Sequence, residues 1–184
     1  MSIETERLLL RPLELSDAPD VKLLAGDRIV ASTTRDIPHP YEEGMAETWI
    51  NSCQEKIAAG ELANFAITLG SNGSFLGVIG LHLASDGREA ELSYWVGKLF
   101  WNRGYATEAA KAMVGHGFTH LGLDRVYAAH FTRNPSSGRV MRKAGMLYEG
   151  FLKGHTEKWG TFEDLELYGV TKEQFSGRGS TGSP

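Results

Sequence analysis

Apolar residues along the chain recur with two different periods, and the changes from one to the other outline its elements. Leu8-Leu9-Leu10-Arg11-Pro12-Leu13 reads as a first strand, and Ser16-Asp17 can cap a short helix toward Ala25. Asp36-Ile37-Pro38-His39-Pro40-Tyr41 cannot be helical, because each proline pushes its predecessor out of the α region. Met45, Trp49, Cys53 and Ile57 then recur every four residues, which predicts a helix ending at Gly60. Strands over 63–69 and 74–82 flank Gly70-Ser71-Asn72-Gly73, whose Asn-Gly pair signals a hairpin, and 89–96 is a further strand. Ala106, Ala109, Ala110, Met113, Val114 and Phe118 form one face of a helix ending near Leu121-Gly122. A strand over 125–131 follows. Ser137, Val140, Met141 and Ala144 mark a short helix stopped by Gly145, and 146–151 and 162–170 supply the last strands. Strands and helices alternate around a central hairpin, so the predicted class is α/β, a mixed sheet with helices on both faces.

No run approaches the ~18 apolar residues a membrane span needs. Charge begins at Glu4, leaving no apolar core of a secretory signal, so neither export nor insertion is expected. The 184 residues suit one domain, expected over 1–175, with the Gly/Ser-rich 176–184 as a flexible tail. Nineteen Lys+Arg against 23 Asp+Glu give a net charge of −4. That lacks the basic excess of a nucleic-acid binder and suits cationic or neutral small partners. Cys53 stands alone, which excludes an intrachain disulfide and a cysteine-based zinc site and makes a reducing cytoplasm the expected location.

Candidate chemistry concentrates where a strand ending at Tyr94-Trp95-Val96 leads through a loop into a helix after Arg103-Gly104. A helix N-terminus exposes unpaired N–H groups and a positive dipole end, and glycine lets an anion approach the backbone. Gly104, Tyr105, Ala106 and Thr107 would cradle phosphate, with Arg103 adding charge; an ordinary strand-to-helix turn is the alternative. Neither G-x-x-x-x-G-K-[ST] nor G-x-G-x-x-G occurs, so nucleotide hydrolysis and dinucleotide redox chemistry lose their usual signatures. His116 and His120 are spaced like two metal ligands, but no glutamate follows His116 and no third ligand is placed, so no metal is expected.

Trp101-x-x-Gly104-x-Ala106 resembles the pyrophosphate-binding motif of the GNAT superfamily of acyl-CoA-dependent N-acyltransferases. Asn134-Pro135-Ser136-Ser137, followed by Val140-Met141-Arg142-Lys143-Ala144-Gly145, resembles that family's second signature. Glu6-Arg7-Leu8-Leu9-Leu10-Arg11, Ile37-Pro38-His39-Pro40-Tyr41, Glu91-Leu92-Ser93-Tyr94-Trp95-Val96 and Tyr148-Glu149-Gly150 are similar to the branch with the ribosomal-protein serine and alanine N-acetyltransferases. The resemblance spans about residues 4–171. It departs at Trp101, where the wider superfamily has Gln or Arg, at Met146 in place of Phe, and at Ser93 in place of Gly.

The resemblance implies a mostly antiparallel sheet splayed near its middle, acetyl-CoA as cosubstrate, and direct attack by a primary amine without an acyl-enzyme. It places the acyl arm along Tyr94, Trp95 and Val96, with Trp95 and Val96 as the backbone partners and Asn134 nearby. Ser137 becomes the proton donor to the leaving thiolate. Glu91, which shares a strand face with Ser93 and Trp95, and Glu149 are the candidate bases; a solvated or ion-paired carboxylate is the alternative for each. His39, Tyr41 and Trp49 fall in the acceptor wall. The acceptor implied is a protein N-terminal amine. A small amine (aminoglycoside, polyamine or amino acid) in an acidic pocket fed by Glu42, Glu43 and Glu47 is the second reading, and a non-catalytic acyl-CoA sensor the third. A homodimer is a family-level expectation.

Overall fold

In the computed structural model, which describes residues 1–178, the periodic segments become β1 (Ile3–Glu4), β2 (Leu8–Pro12), α1 (Ala18–Ala25), α2 (Arg28–Ser32), α3 (Met45–Ala58), β3 (Leu62–Leu69) and β4 (Phe75–Leu83). β5 (Glu89–Val96), α4 (Tyr105–Thr119), β6 (Arg125–Phe131), α5 (Pro135–Lys143), β7 (Leu147–Lys158), β8 (Thr161–Thr171) and α6 (Lys172–Arg178) complete the order. The strands form one sheet, β1-β2-β3-β4-β5-β6-β8-β7. Only β5 and β6 run parallel, and they pair only from Glu89–Arg125 to Glu91–Tyr127. α4 and α5 cover one face, packing Met113, Val114, Phe118 and Met141 on Leu81 and Val126. α1 and α3 cover the other, with Val21, Ala46 and Ile50 against Ala66, Phe75 and Val78.

Of the apolar stripe expected on α4, Ala109, Ala110, Met113, Val114 and Phe118 are buried, and Ala106 is half-buried against the same core. On α3 the buried residues are Ala46, Ile50 and Cys53, whereas Ile57 is exposed. A four-residue repeat drifts about 40° per step around a helix of 3.6 residues per turn. The packing face therefore turns away from Met45 and Trp49, which are left at its edge. α2, α6 and the outer half of β7 were not anticipated. Lys153-Gly154-His155-Thr156-Glu157-Lys158 has no apolar alternation and becomes strand through pairing with β8 around the Trp159-Gly160 turn, where φ is 52° and 79°. α6 takes in residues 176–178 of the expected tail, and 179–184 lie outside the described residues. No helix among the described residues is long and apolar enough to cross a membrane.

Two carboxylates fasten the N-terminal segment. Glu108, in the first turn of α4, accepts from Thr5 Oγ1 at 2.6 Å, Arg7 N at 2.7 Å and Arg7 Nε at 2.7 Å. Asp17 accepts from both Arg11 Nη atoms at 2.9 and 2.6 Å and from Glu14 N at 2.9 Å. Burial alone would raise both carboxyl pKa values, but these donors outweigh it and hold each below its ordinary 4.5 or 3.8. The fold thus favours the ionised forms, so this stability is complete above the ordinary values and drains away as pH falls below them. Glu108→Gln and Asp17→Asn are each expected to lose about 1–3 kcal/mol at pH 7 in urea unfolding. The deficit should shrink toward pH 3; one that persists undiminished there would contradict the linkage.

Candidate active site

The parting of β5 from β6 creates the site. Gly97 N–H donates to Leu76 O at 2.8 Å and Ala84 N–H to Glu89 O at 2.9 Å. Bonded residues alternate along an antiparallel ladder, so odd-numbered residues of β5 bond to β4, and Leu92, Tyr94 and Val96 turn their N–H and C=O groups toward β6. Beyond Glu91 no strand meets them there. Trp95 consequently points its backbone at β4 rather than into the gap. The Val96 carbonyl accepts from Trp101 Nε1 at 2.7 Å, which leaves the Val96 N–H and both backbone groups of Tyr94 facing the opening.

α5 closes the far side. The Tyr94 hydroxyl lies 2.6 Å from Ser137 Oγ and donates to Ser137 O at 3.1 Å. Burial pushes the Tyr94 phenol well above its ordinary range, so it keeps its proton. Asn134 precedes α5 with no side-chain capping bond. Gly138, in the first turns of α5, rests on His130 of β6: a Cβ there would lie 2.6 Å from Nε2. That imidazole is buried, with Nδ1 2.7 Å from Phe131 O and Nε2 3.2 Å from Glu166 Oε2.

On the other side of β5, Asn102 (φ 61°) and Gly104 (φ 81°) turn the chain through the left-handed region into α4. No side chain caps this end, and the first helical bond runs from Glu108 N to Gly104 O at 3.0 Å. The N–H groups of Tyr105, Ala106 and Thr107 are therefore unspent, as a phosphate cradle requires. Arg7 Nη1 donates to Arg103 O at 2.9 Å, and its guanidinium lies 4.8 Å from the Tyr105 ring centroid, so a cation borders the turn.

A cavity of about 920 Å³ opens between the sheet and α1 and α3, running from Ile37, Tyr41 and Trp49 past Glu91 and Trp95 to Ser137. Glu91 is ion-paired with Arg35. Glu149 is not brought here. It occupies the irregularity between Tyr148 and Gly150, against Gly169, and pairs with Arg125 at the opposite end of β6. His39 also lies off the cavity, its ring 5.9 Å from that of Trp159. Of the three wall acids, only Glu43 lines the cavity, and Lys22 holds its carboxylate. Burial raises the thiol pKa of Cys53, so this lining residue is no ready nucleophile.

Two features had no sequence signal. His82, on β4, stands directly opposite Glu91, with Nε2 3.0 Å from Ser93 Oγ. Lys158, at the hairpin tip, is buried and donates to Ile37 O at 2.7 Å and Arg35 O at 3.3 Å, so the last hairpin holds the acceptor wall. Burial lowers the pKa of this ammonium. Neither contact is implied by local periodicity, because each joins residues far apart in the chain. Among the described residues no cluster of three or more His, Cys, Asp or Glu is placed to hold a metal, and His116 and His120 simply stack at 4.9 Å.

A family model described as an acetyltransferase (GNAT) domain matches residues 7–147. The chain is 30% identical over 174 residues to YoaA of Bacillus subtilis (strain 168), described as an uncharacterized N-acetyltransferase, covering 92% of this chain and 96% of that one. A solved GNAT-family acetyltransferase from Bacillus anthracis superposes with TM-score 0.84 at 28% identity, covering 94% of this chain and 99% of that one. The fold alone is shared with RimL, a ribosomal alpha-N-protein acetyltransferase in complex with coenzyme A (TM-score 0.85, 16% identity, 93% and 98% covered). It is shared likewise with the Vibrio cholerae spermidine N-acetyltransferase in complex with CoA and spermine (TM-score 0.81, 20% identity, 94% and 99% covered).

Gly138→Ala is expected to drive α5 off His130 at a cost of about 1–3 kcal/mol. A lowered Tm should accompany altered Tyr94 environment in near-ultraviolet circular dichroism, whereas unchanged values would show that the helix yields freely.

Proposed function

Because the chain belongs to the GNAT family and is an acetyl-CoA-dependent N-acetyltransferase, we propose that it acetylates the N-terminal amine of a protein by direct attack within a ternary complex. The observation that carries this reading is the bare inner edge of β5, with Ser137 at one end of the opening and an aromatic wall at the other. The residues fit acetyl-CoA: the αL turn at Gly104 and three unspent N–H groups suit its pyrophosphate, and Tyr94, Val96 and the uncapped Asn134 side chain suit its amide arm.

The Tyr94 hydroxyl and Ser137 Oγ lie 2.6 Å apart and either can donate; when the Tyr94 proton turns from Ser137 O to Ser137 Oγ, the serine proton is released for the departing thiolate. Glu91, paired with Arg35, lines the cavity on the strand face that carries Ser93 and Trp95. An α-amine has a reference pKa of about 7.7–8.0 against about 10.4 for lysine, so an N-terminal acceptor requires little help to lose its proton. RimL, by its name, acts on a ribosomal protein N-terminus, and the motifs around Glu91 and Tyr148-Glu149-Gly150 favour the same class. A polyamine calls for several unpaired carboxylates. Here Glu43 and Glu91 are both paired, Asp36 is a single further carboxylate on the lining, and Arg35 and Lys56 line the same cavity, which tells against it.

Acetyl-CoA binding by calorimetry, followed by thiol release with peptides beginning in Ser or Ala, spermidine and an aminoglycoside, tests the proposal. Peptide-dependent release is expected. Release with small amines alone would move the protein to metabolite modification, and binding without any release would favour a sensor. Ser137→Ala should lower kcat by about 10²-fold, while Glu149→Gln leaves it unchanged. Gly104→Val should weaken acetyl-CoA binding about tenfold or more, because a β-branched residue is strained at positive φ.

A further inference from the structure

We propose that Ser93 and His82 form the proton relay of this N-acetyltransferase, taking the proton from the amine in place of a direct carboxylate base. Ser93 stands on the cavity face of β5 between Glu91 and Trp95, and its Oγ lies 3.0 Å from His82 Nε2. Ser93 and His82 both line the cavity that ends at Ser137. The obvious carboxylate is engaged, since Glu91 is tied to Arg35.

The imidazole tautomer sets the direction of transfer. For Ser93 to donate to Nε2, the neutral ring carries its proton on Nδ1, and Nε2 is the basic atom. The lone pair of the neutral amine forms the C–N bond, and the N–H proton of the resulting tetrahedral intermediate passes to Ser93 Oγ as the serine proton passes to Nε2. The C–S bond breaks, and the thiolate takes the Ser137 proton. The imidazolium then returns one proton to solvent as Ser137 Oγ takes one back, so the protons balance and no further reactant is needed.

The charges facing His82 suit the task. Glu91 stands opposite on β5 and, with Asp36, stabilises the imidazolium, whereas Lys56 of α3 and Arg35 oppose it. His82 lies exposed at the cavity's edge, yet partial desolvation there is the largest influence on it and lowers its imidazole pKa from the ordinary 6.5, which favours the neutral ring. Glu91 then serves the charge that forms rather than the proton itself.

The test has two independent arms. In the rate arm, the best amine of the panel is followed against pH in the parent, His82→Gln and Ser93→Ala. The parent should show an acid limb below pH 6.5. His82→Gln should lose that limb together with about 10²-fold in kcat, and Ser93→Ala about tenfold, with acetyl-CoA affinity unchanged in both. A His82→Gln enzyme within threefold of the parent that keeps the limb overturns the proposal. In the second arm, the His82 imidazole is titrated by NMR without any acceptor: a neutral ring at pH 7 is expected, and a protonated one overturns the relay. Should no amine in the panel be acetylated, the acceptor assignment fails, and the titration still decides His82.

Discussion

Two parallel neighbours that bond through their first residues and then separate leave the sheet with an edge in its interior. β5 remains bonded to β4 through Val96, and β6 to β8 through Phe131, so each strand is satisfied on its outer side and bare on its inner side. Buried backbone donors and acceptors without partners are costly. An edge on the rim of a sheet invites another strand, but this one is too narrow and too deep for that. It suits a slender molecule carrying its own amides. The remaining machinery is arranged around that vacancy: the αL turn at Gly104 on one flank, α5 on the other, and an aromatic wall in front.

Ion pairs distribute charge around this opening rather than stabilise it strongly. Arg7–Glu108 pins the N-terminal strands to the phosphate turn, Arg35–Glu91 spans the acceptor side, and Arg125–Glu149 locks the far end of β6. Partly exposed pairs of this kind contribute about 0–1 kcal/mol each as charge pairs, and Glu108 adds to this only through its bonds from Thr5 Oγ1 and Arg7 N. Their value lies in orientation. Arg7 brings a guanidinium to the loop while its own charge is offset by Glu108, so the cradle stays attractive to an anion without accumulating unpaired cations.

The parts of the molecule legible in the sequence are those decided within one element. β6 matches its expected limits, the α4 stripe is buried, and the Gly104 turn and Ser137 fall where their motifs place them. What was not legible depends on register between elements. Which backbone groups of β5 face the gap is a matter of ladder parity, so Tyr94 rather than Trp95 turns its backbone into the opening without any change in composition. Glu91 and Glu149 look alike as isolated carboxylates, and only the fold sends one to the cavity and the other to Arg125. The α3 face was misjudged by a residue because a four-residue stripe drifts, and that drift leaves Trp49 free to line the cavity.

The grip of Lys158 on the Arg35 and Ile37 carbonyls has a bearing on how the protein is made. The αL turn, β5 and Ser137 all lie within the first 137 residues, whereas β8, which pairs with β6 along its whole length, and the hairpin lysine follow them. The wall that meets the acceptor is anchored only when the final hairpin arrives, because its lysine is supplied some 120 residues later than the carbonyls it binds. Domains are assembled from the N-terminus as they are synthesised. The acceptor wall is therefore among the later parts of this fold to be fixed, because its anchor waits on the pairing of β7 with β8.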